Sequence, residues 1–471
     1  MIFSSVHPNP RIHLLKQLCG GMEMVKFTKY ARNTAILTGA SLLMRCIGLV
    51  YQVWLSGRIG AAGIGLWQLV MSVSALSATL AISGIRFTAT RLVSEELGKG
   101  TGRTDAAVHR CLLYAAAFGT VAFLILYFGA EAIGFLWIGD ARTVKSLRIL
   151  AFTMPMISLS SVLNGYYIAS GQPMKTAAVQ ITEQISGVLC VMLLLRHSPS
   201  GDLERCCAAV ALGNLLADGI SLLLISASYL FDRGQRQRDG CAGNLTGRML
   251  RIALPLAVSA YMRMSLSTLE NLLVPKMLRS AGFSADRALT GYGLITGMVF
   301  PIISFPSCLL SAAAELTVPA LTGAQMRGAR QEIRRKCALL LRAALAYSFA
   351  TAVFLFLFAR PLGVLIYHTE AAGTYIRILA FLVPVMHTDM ITDGCLKGLG
   401  QMLWSMGCNV AESLIGVLLV VTVLPRRALG GYIFILYFCE IFNFSMSIAR
   451  LRKVAGLQPF KAVTAKKFSA E

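Results

Sequence analysis

Arg45 lies 13 residues from Arg32 and 13 from Arg58, and Arg263 lies 12 from Arg251 and 13 from Lys276. A guanidinium held so deep in an apolar helix costs about 2.5–3.5 kcal/mol on insertion scales, so it normally faces a bundle interior or a wet cavity. Its planar fork of donors grips carboxylate and phosphate oxygens in pairs. Two such groups facing one crevice from opposite walls would form a site for an anion such as a pyrophosphate. For Arg263 the competing reading is an intramembrane ion pair with Glu270, although seven residues set the two apart by two helical turns.

Other residues could extend or couple such a site. Arg86 closes a charge-free stretch and either lengthens an anion path or simply ends a helix with a basic residue. Glu183 and Glu412 interrupt apolar stretches singly, where a carboxylate is costly unless paired or protonated. They are candidates to carry coupling protons, or to hydrogen-bond neighbouring helices. His387, Asp389 and Asp393 form a polar cluster with the two aspartates at i, i+4 on one face. A water-lined vestibule is the favoured reading there, a proton or Na⁺ site the other. No nucleotide-binding, serine-hydrolase or zinc-protease motif occurs, so neither catalysis nor a cofactor is expected. The twelve cysteines are scattered without C-x-x-C spacing and read as small apolar packers.

The elements that must position these residues follow from composition. Of 471 residues 56% are hydrophobic and 14% charged, with mean hydropathy +0.66, which excludes a soluble enzyme. Residues 59–85, 111–130, 149–174 and 288–314 carry no Asp, Glu, Lys or Arg, and 343–359 is a shorter gap of the same kind. Seven further windows hold only one or two charges: 33–57, 176–195, 206–231, 252–275, 378–396, 398–425 and 428–449. A bilayer core about 30 Å thick needs roughly 20 such residues per helix, so an all-α protein with twelve spans is expected. Of the 44 Lys and Arg, 29 fall in the segments sharing a side with both termini and 13 on the other side. The positive-inside rule therefore places both termini in the cytoplasm. The net charge of +22 thus reflects topology, and no nucleic-acid partner is expected, because the basic segment 232–251 lacks interleaved aromatics after Phe231.

The chain also repeats itself. Residues 147–195 align without gaps on 376–424, with 15 of 49 positions identical, including Pro155/Pro384, Gly165/Gly394, Gly171-Gln172/Gly400-Gln401, Glu183/Glu412 and Gly187/Gly416. Residues 41–55 correspond less clearly to 259–273, pairing Arg45 with Arg263 and Gln52 with Glu270. Six spans per unit make parallel repeats about an axis along the membrane normal, facing each other across a central cleft. The expected division is an unstructured leader (1–25), a six-helix bundle (26–231), a cytoplasmic linker (232–249), a second bundle (250–451) and a basic tail (452–471). Met22 and Met24 are alternative starts.

The stretch Lys26–Gly60 (KFTKYARNTAILTGASLLMRCIGLVYQVWLSGRIG), the run Glu95-Glu96-Leu97, Gly293–Pro306 (GLITGMVFPIISFP) and the turns at Gly171-Gln172 and Gly398-Leu399-Gly400 resemble the lipid-linked oligosaccharide flippases of the MATE-like exporter superfamily. Within it, the likeness is to the polysaccharide-biosynthesis and stage V sporulation protein B branch of Gram-positive bacteria, over about residues 25–455. The resemblance implies a transporter of the plasma membrane, embedded among membrane lipids. It would move an undecaprenyl-pyrophosphate-linked saccharide, lipid II or a relative, from the inner to the outer leaflet by alternating access, with H⁺ or Na⁺ as coupling ion. It also implies that cavity arginines bind the diphosphate, and Arg45, Arg86 and Arg263 are the positions to carry that role.

Two departures stand out. Gly84-Ile85-Arg86 replaces the Gly-Ile-Pro common in such proteins, and the two extra helices that form a lipid groove in lipid II flippases of Gram-negative bacteria are missing from this sequence. A cation-coupled multidrug exporter of the same superfamily is the alternative, opposed by the central arginines. A membrane glycosyltransferase or polymerase is more remote, since it needs a large extramembrane loop and the longest outer loops here are about 20 residues.

Overall fold

The computed structural model describes residues 10–99, 104–196, 202–233 and 245–456, with side chains from residue 39 onward apart from 98, 99, 233, 312, 315, 316, 319 and 320. Of the segments expected to flank the bundles, residues 1–9, 234–244 and 457–471 lie outside the described residues. Every described element is helical, as hydrocarbon demands, because a helix satisfies its own backbone donors and acceptors.

Among the described residues eight helices are long and apolar enough to cross a bilayer as they stand, or nine when the bent pair Ala141–Ala151 and Thr153–Ala169 counts as one. Twelve passes emerge from the breaks inside the longest of them. The helix Gly39–Leu97 turns at Gly60 (φ 69°, ψ 175°), and Met402–Ala455 turns at Ala428 (φ 47°, ψ −135°). Spans one and two are therefore residues 39–59 and 61–97, and spans eleven and twelve are 402–427 and 428–455. Span three is Thr104–Ala132, span four the bent pair, span five Pro173–Arg196, span six Leu203–Arg233 and span seven Leu245–Ser280. Span eight is assembled from Ala285–Tyr292, a π-helical turn Gly293–Val299, Phe300–Ser304 and Ser307–Met326. Arg330–Leu357 and Glu370–Gly398 are spans nine and ten.

The up-and-down order gives the molecule two ends. Left-handed turn residues Gly60, Gly139, Gly282, His368 and Ala428 cluster at one, here the far end; Gly171, Gly328, Gly400 and Gly456 lie at the other, the terminal end, where the described chain both enters and leaves.

The apolar core is divided unequally between these ends. One cluster is shared by both six-helix lobes: Leu55, Ile64, Leu66 and Leu126 of the first lobe pack with Leu272, Leu289, Ile295 and Ile435 of the second. Two further clusters lie toward the terminal end. Ile85, Leu92, Val108, Leu163 and Tyr166 form one, which takes in only the beginning of span seven from the other lobe. Leu310, Leu321, Cys337, Leu396 and Leu451 form the other, wholly within the second lobe. The two lobes are joined at the far end and part toward the terminal end, and the cleft between them opens there.

Candidate functional site

Backbone contact seals the far end of the cleft. A Cβ on Gly293 would lie 2.2 Å from the carbonyl oxygen of Ala61, and one on Gly65 would lie 2.2 Å from that of Leu289. Spans two and eight thus touch main chain to main chain, which only glycine permits. Arg142, held by Asp140 at 2.7 Å, also reaches Asp286 across the lobes at 2.9 Å. Arg279 donates to the carbonyl of Gly139 at 2.9 Å.

Toward the terminal end the lobes stay in contact along spans two and seven. Thr268 donates to the carbonyl of Ser72 at 3.1 Å, and Tyr261 donates to the hydroxyl of Ser83 at 2.7 Å. Span two breaks at this last contact, with Ser83 and Gly84 both at positive φ (44° and 70°). Beyond it Arg248 bridges to Glu95 and, at 3.0 Å, to Glu96.

Spans one and eight diverge instead. Between them opens a gap of ≈ 600 Å³ bordered by Leu42 and Cys46, by span eight from Phe305 to Leu309, and by Tyr347 of span nine. Span eight bends there, with the carbonyl of Pro306 accepting from the Tyr347 hydroxyl at 2.9 Å.

Arg45 lies in the same turn of span one as Leu42 and Cys46 but does not itself line this gap. Seven residues separate it from Gln52, so both lie on one stripe of span one, and the Gln52 amide donates to the carbonyl of Gly297 in span eight at 2.8 Å. Arg45 therefore faces the seam between the lobes where it begins to open. The residue is exposed, and among the described residues it has no ion pair. Arg263 is also exposed and has no ion pair with Glu270 or any other described residue. At 1.5 Å per residue, Arg45 and Arg263 sit at a similar depth, about 22–26 Å from the far end.

They do not share an orientation. Arg263 lies about 200° round span seven from Tyr261, which touches span two, and on the same face as Glu270. The Glu270 carboxylate rests against Gly416 of span eleven, where a Cβ would come within 2.8 Å of Oε1. Arg263 thus faces away from span two, on the side that packs against the second lobe. Arg86 is exposed in the first turn after the break in span two.

The acidic candidates gather inside each lobe. Glu183 lines a cavity of ≈ 350 Å³ in the first lobe with Tyr51, Ser74, Gln184, Asn214 and Asp218. In the second lobe Glu412 stands within electrostatic reach of Glu440, Glu270 and Asp389. Asp389 is 9% exposed and accepts from the Asn443 amide at 3.4 Å, and that amide also donates to Asn409 at 3.2 Å. Asp393 is engaged separately, by Lys397 at 2.6 Å and by the Ser405 hydroxyl. His387 is buried beside the ring of Tyr347, with centroids 6.4 Å apart. The aspartates one turn apart therefore have different partners.

Asp218 and Glu440 complete these clusters, although the sequence reading did not single them out as site residues. Each is the lone charge of its window, spans six and twelve. Asn214 and Asn443 stand at the same 229-residue offset as Glu183 and Glu412, a signal that was present but lay outside the aligned segment.

Comparison with known proteins agrees with this architecture. The polysaccharide biosynthesis protein family matches residues 30–321, and the MatE family matches 255–422. Stage V sporulation protein B of Bacillus subtilis (strain 168) is 23% identical over 416 residues, 85% of this chain and 79% of that protein. The fold is shared with a lipid II flippase MurJ solved in an inward closed conformation, with TM-score 0.65 and 12% identity over 89% of this chain and 87% of that one. It is also shared with an inward-facing multidrug resistance MATE family transporter, with TM-score 0.64 and 17% identity over 88% and 96%. With a family match over more than half its length, twelve helical passes and two lobes closing on a cleft, the chain belongs to the polysaccharide biosynthesis protein family, within the superfamily of multidrug, oligosaccharidyl-lipid and polysaccharide exporters.

Proposed function

We propose that this multi-pass membrane transporter flips an undecaprenyl-pyrophosphate-linked saccharide, lipid II or a related cell-wall, spore or polysaccharide precursor, from the inner to the outer leaflet. The observation that carries the reading is Arg45: a guanidinium deep in a span, without a carboxylate partner among the described residues, facing the seam where the lobes part. In that position it can grip a diphosphate while the lipid tail stays in the bilayer. Arg86 nearer the terminal end adds positive charge for the same headgroup, and Arg263, at similar depth but turned toward the second lobe, contributes from the opposite wall only when the lobes rock.

In this reading the terminal end is cytoplasmic, the protein resides in the plasma membrane of a Gram-positive cell, and the bundles 26–231 and 250–451 rock about the cleft. Glu183 with Asp218, and Glu270 with Glu412, Asp389 and Asp393, supply acceptors for H⁺ or Na⁺ that bias the rocking.

The test is complementation together with the precursor pool. Loss of a charge-assisted contact costs about 1.5–3 kcal/mol, so Arg45→Ala and Arg263→Ala are each expected to lower transport at least tenfold while leaving membrane insertion unchanged. Depletion of the protein should make lipid-linked precursors accumulate. Wild-type transport in both variants would remove the anion site.

A second reading, a cation-coupled multidrug exporter, is favoured by the first-lobe cavity with its two carboxylates and by the fold shared with a MATE transporter. It predicts drug sensitivity, not precursor accumulation, when the protein is depleted.

A further inference from the structure

An apolar groove of ≈ 350 Å³ crosses the seam between the lobes toward the far end, lined by none of the arginines or acidic residues described above. One wall is Leu76 of span two with Trp137 of the π-helical turn Ile133–Ile138; the other is span seven from Ser265 to Lys276, including Leu269 and Leu272. Lys276 is exposed at the outer rim, and Arg279 follows it by three residues on the same helix face.

Three observations point to the occupant. The first is depth: from Ser265 to Lys276 span seven rises about 16 Å, close to the ~15 Å of hydrocarbon in one leaflet of a ~30 Å core. A lipid with its headgroup at Lys276 would lay its chain along the whole groove. The second is charge. Lys276 has no ion pair among the described residues, and the Nε of Arg279 is buried without a hydrogen-bond partner. The acidic groups nearby, Asp140 and Asp286, are both held by Arg142, and Arg279 donates to the Gly139 carbonyl, which leaves the exposed Lys276 without an acidic partner among the described residues. The third is the exposed rim of Phe135, Leu136 and Trp137, at 61%, 71% and 53%, where Trp belongs at headgroup level.

We propose that this groove docks an anionic glycerophospholipid of the leaflet at the far end, its phosphate between Lys276 and Arg279 and one acyl chain between Trp137 and Leu272. Because the walls come from different lobes, the bound lipid bridges them and favours the arrangement in which the far end is closed.

The experiment uses the full chain in nanodiscs of equal phosphatidylglycerol and phosphatidylcholine, with retained lipid read by native mass spectrometry. The wild type should retain phosphatidylglycerol about tenfold over phosphatidylcholine. Lys276→Gln should bring that ratio near one, and Leu269→Trp, which fills the groove, should lower retention of both lipids. A wild type with no preference, or a Lys276→Gln chain that keeps it, overturns the proposal. Should Leu269→Trp fail to fold, the polar pair Lys276→Gln and Arg279→Gln still decides, since both lie at the outer end of the span.

Discussion

The two ends of the molecule hold the lobes in different ways. At the far end a common hydrophobic core runs through both lobes, spans two and eight touch through glycine backbones, and Arg142 ties one lobe to Asp286 of the other. At the terminal end the lobes keep largely separate cores and meet along spans two and seven, through Tyr261, Ser83 and the Arg248 bridge. The difference shows where each kind of interaction serves a transporter. Close packing makes a firm seal but adapts poorly to extra volume. A few hydrogen bonds and ion pairs can be exchanged for water at little net cost, which suits the end that stays open in this arrangement.

Overfilling the far-end seal is the most severe way to break this contrast. Gly293→Leu places side-chain atoms where a Cβ alone already falls 2.2 Å from Ala61 O and 2.5 Å from Gly65 N. Overpacking of this kind costs typically 1–3 kcal/mol. Either the melting temperature falls or the far end opens, and labelling of a single cysteine placed on span two facing span eight would register the opening. Unchanged melting and labelling would deny that the glycine contact is the seal.

The Tyr261–Ser83 contact at the break in span two gives a smaller effect. Tyr261→Phe removes the donor to Ser83 but leaves the Ser83–Tyr114 hydrogen bond of 2.8 Å within the first lobe. A loss of about 1 kcal/mol is expected, with labelling altered at the terminal end and not at the far end. Smallest of all is Asp286→Asn, which weakens only the cross-lobe pair: the Asp286 side chain is 69% exposed, and such pairs contribute roughly 0.2–1 kcal/mol. A large destabilisation there would mean that charge, not packing, holds the far end.

Much of this organisation was legible in the residues. Windows nearly free of charge located all twelve passes, including those that merge into continuous helices through Gly60 and Ala428, because insertion energy depends on local composition and not on whether a helix is broken. The 147–195 and 376–424 match exposed the duplication through Pro, Gln and Glu, which shared apolarity alone does not reproduce. Asp218 and Glu440 were visible as lone charges, yet their partnership with Glu183 and Glu412 was not, since it joins different helices. Repeat symmetry paired Arg45 with Arg263 and Gln52 with Glu270, but Gln52 reaches across to Gly297 while Glu270 turns inward against Gly416. Equivalent sequence positions need not find equivalent neighbours once two lobes pack asymmetrically.

Charge spacing, apolar length and the internal repeat determined that this chain crosses the membrane as paired six-helix units and that Arg45 and Arg263 lie deep within them. Those properties are set residue by residue, by the cost of removing each side chain from water. Which end is sealed, which face each arginine presents and which carboxylates meet were decided only by tertiary structure, because they depend on contacts between helices far apart in the chain.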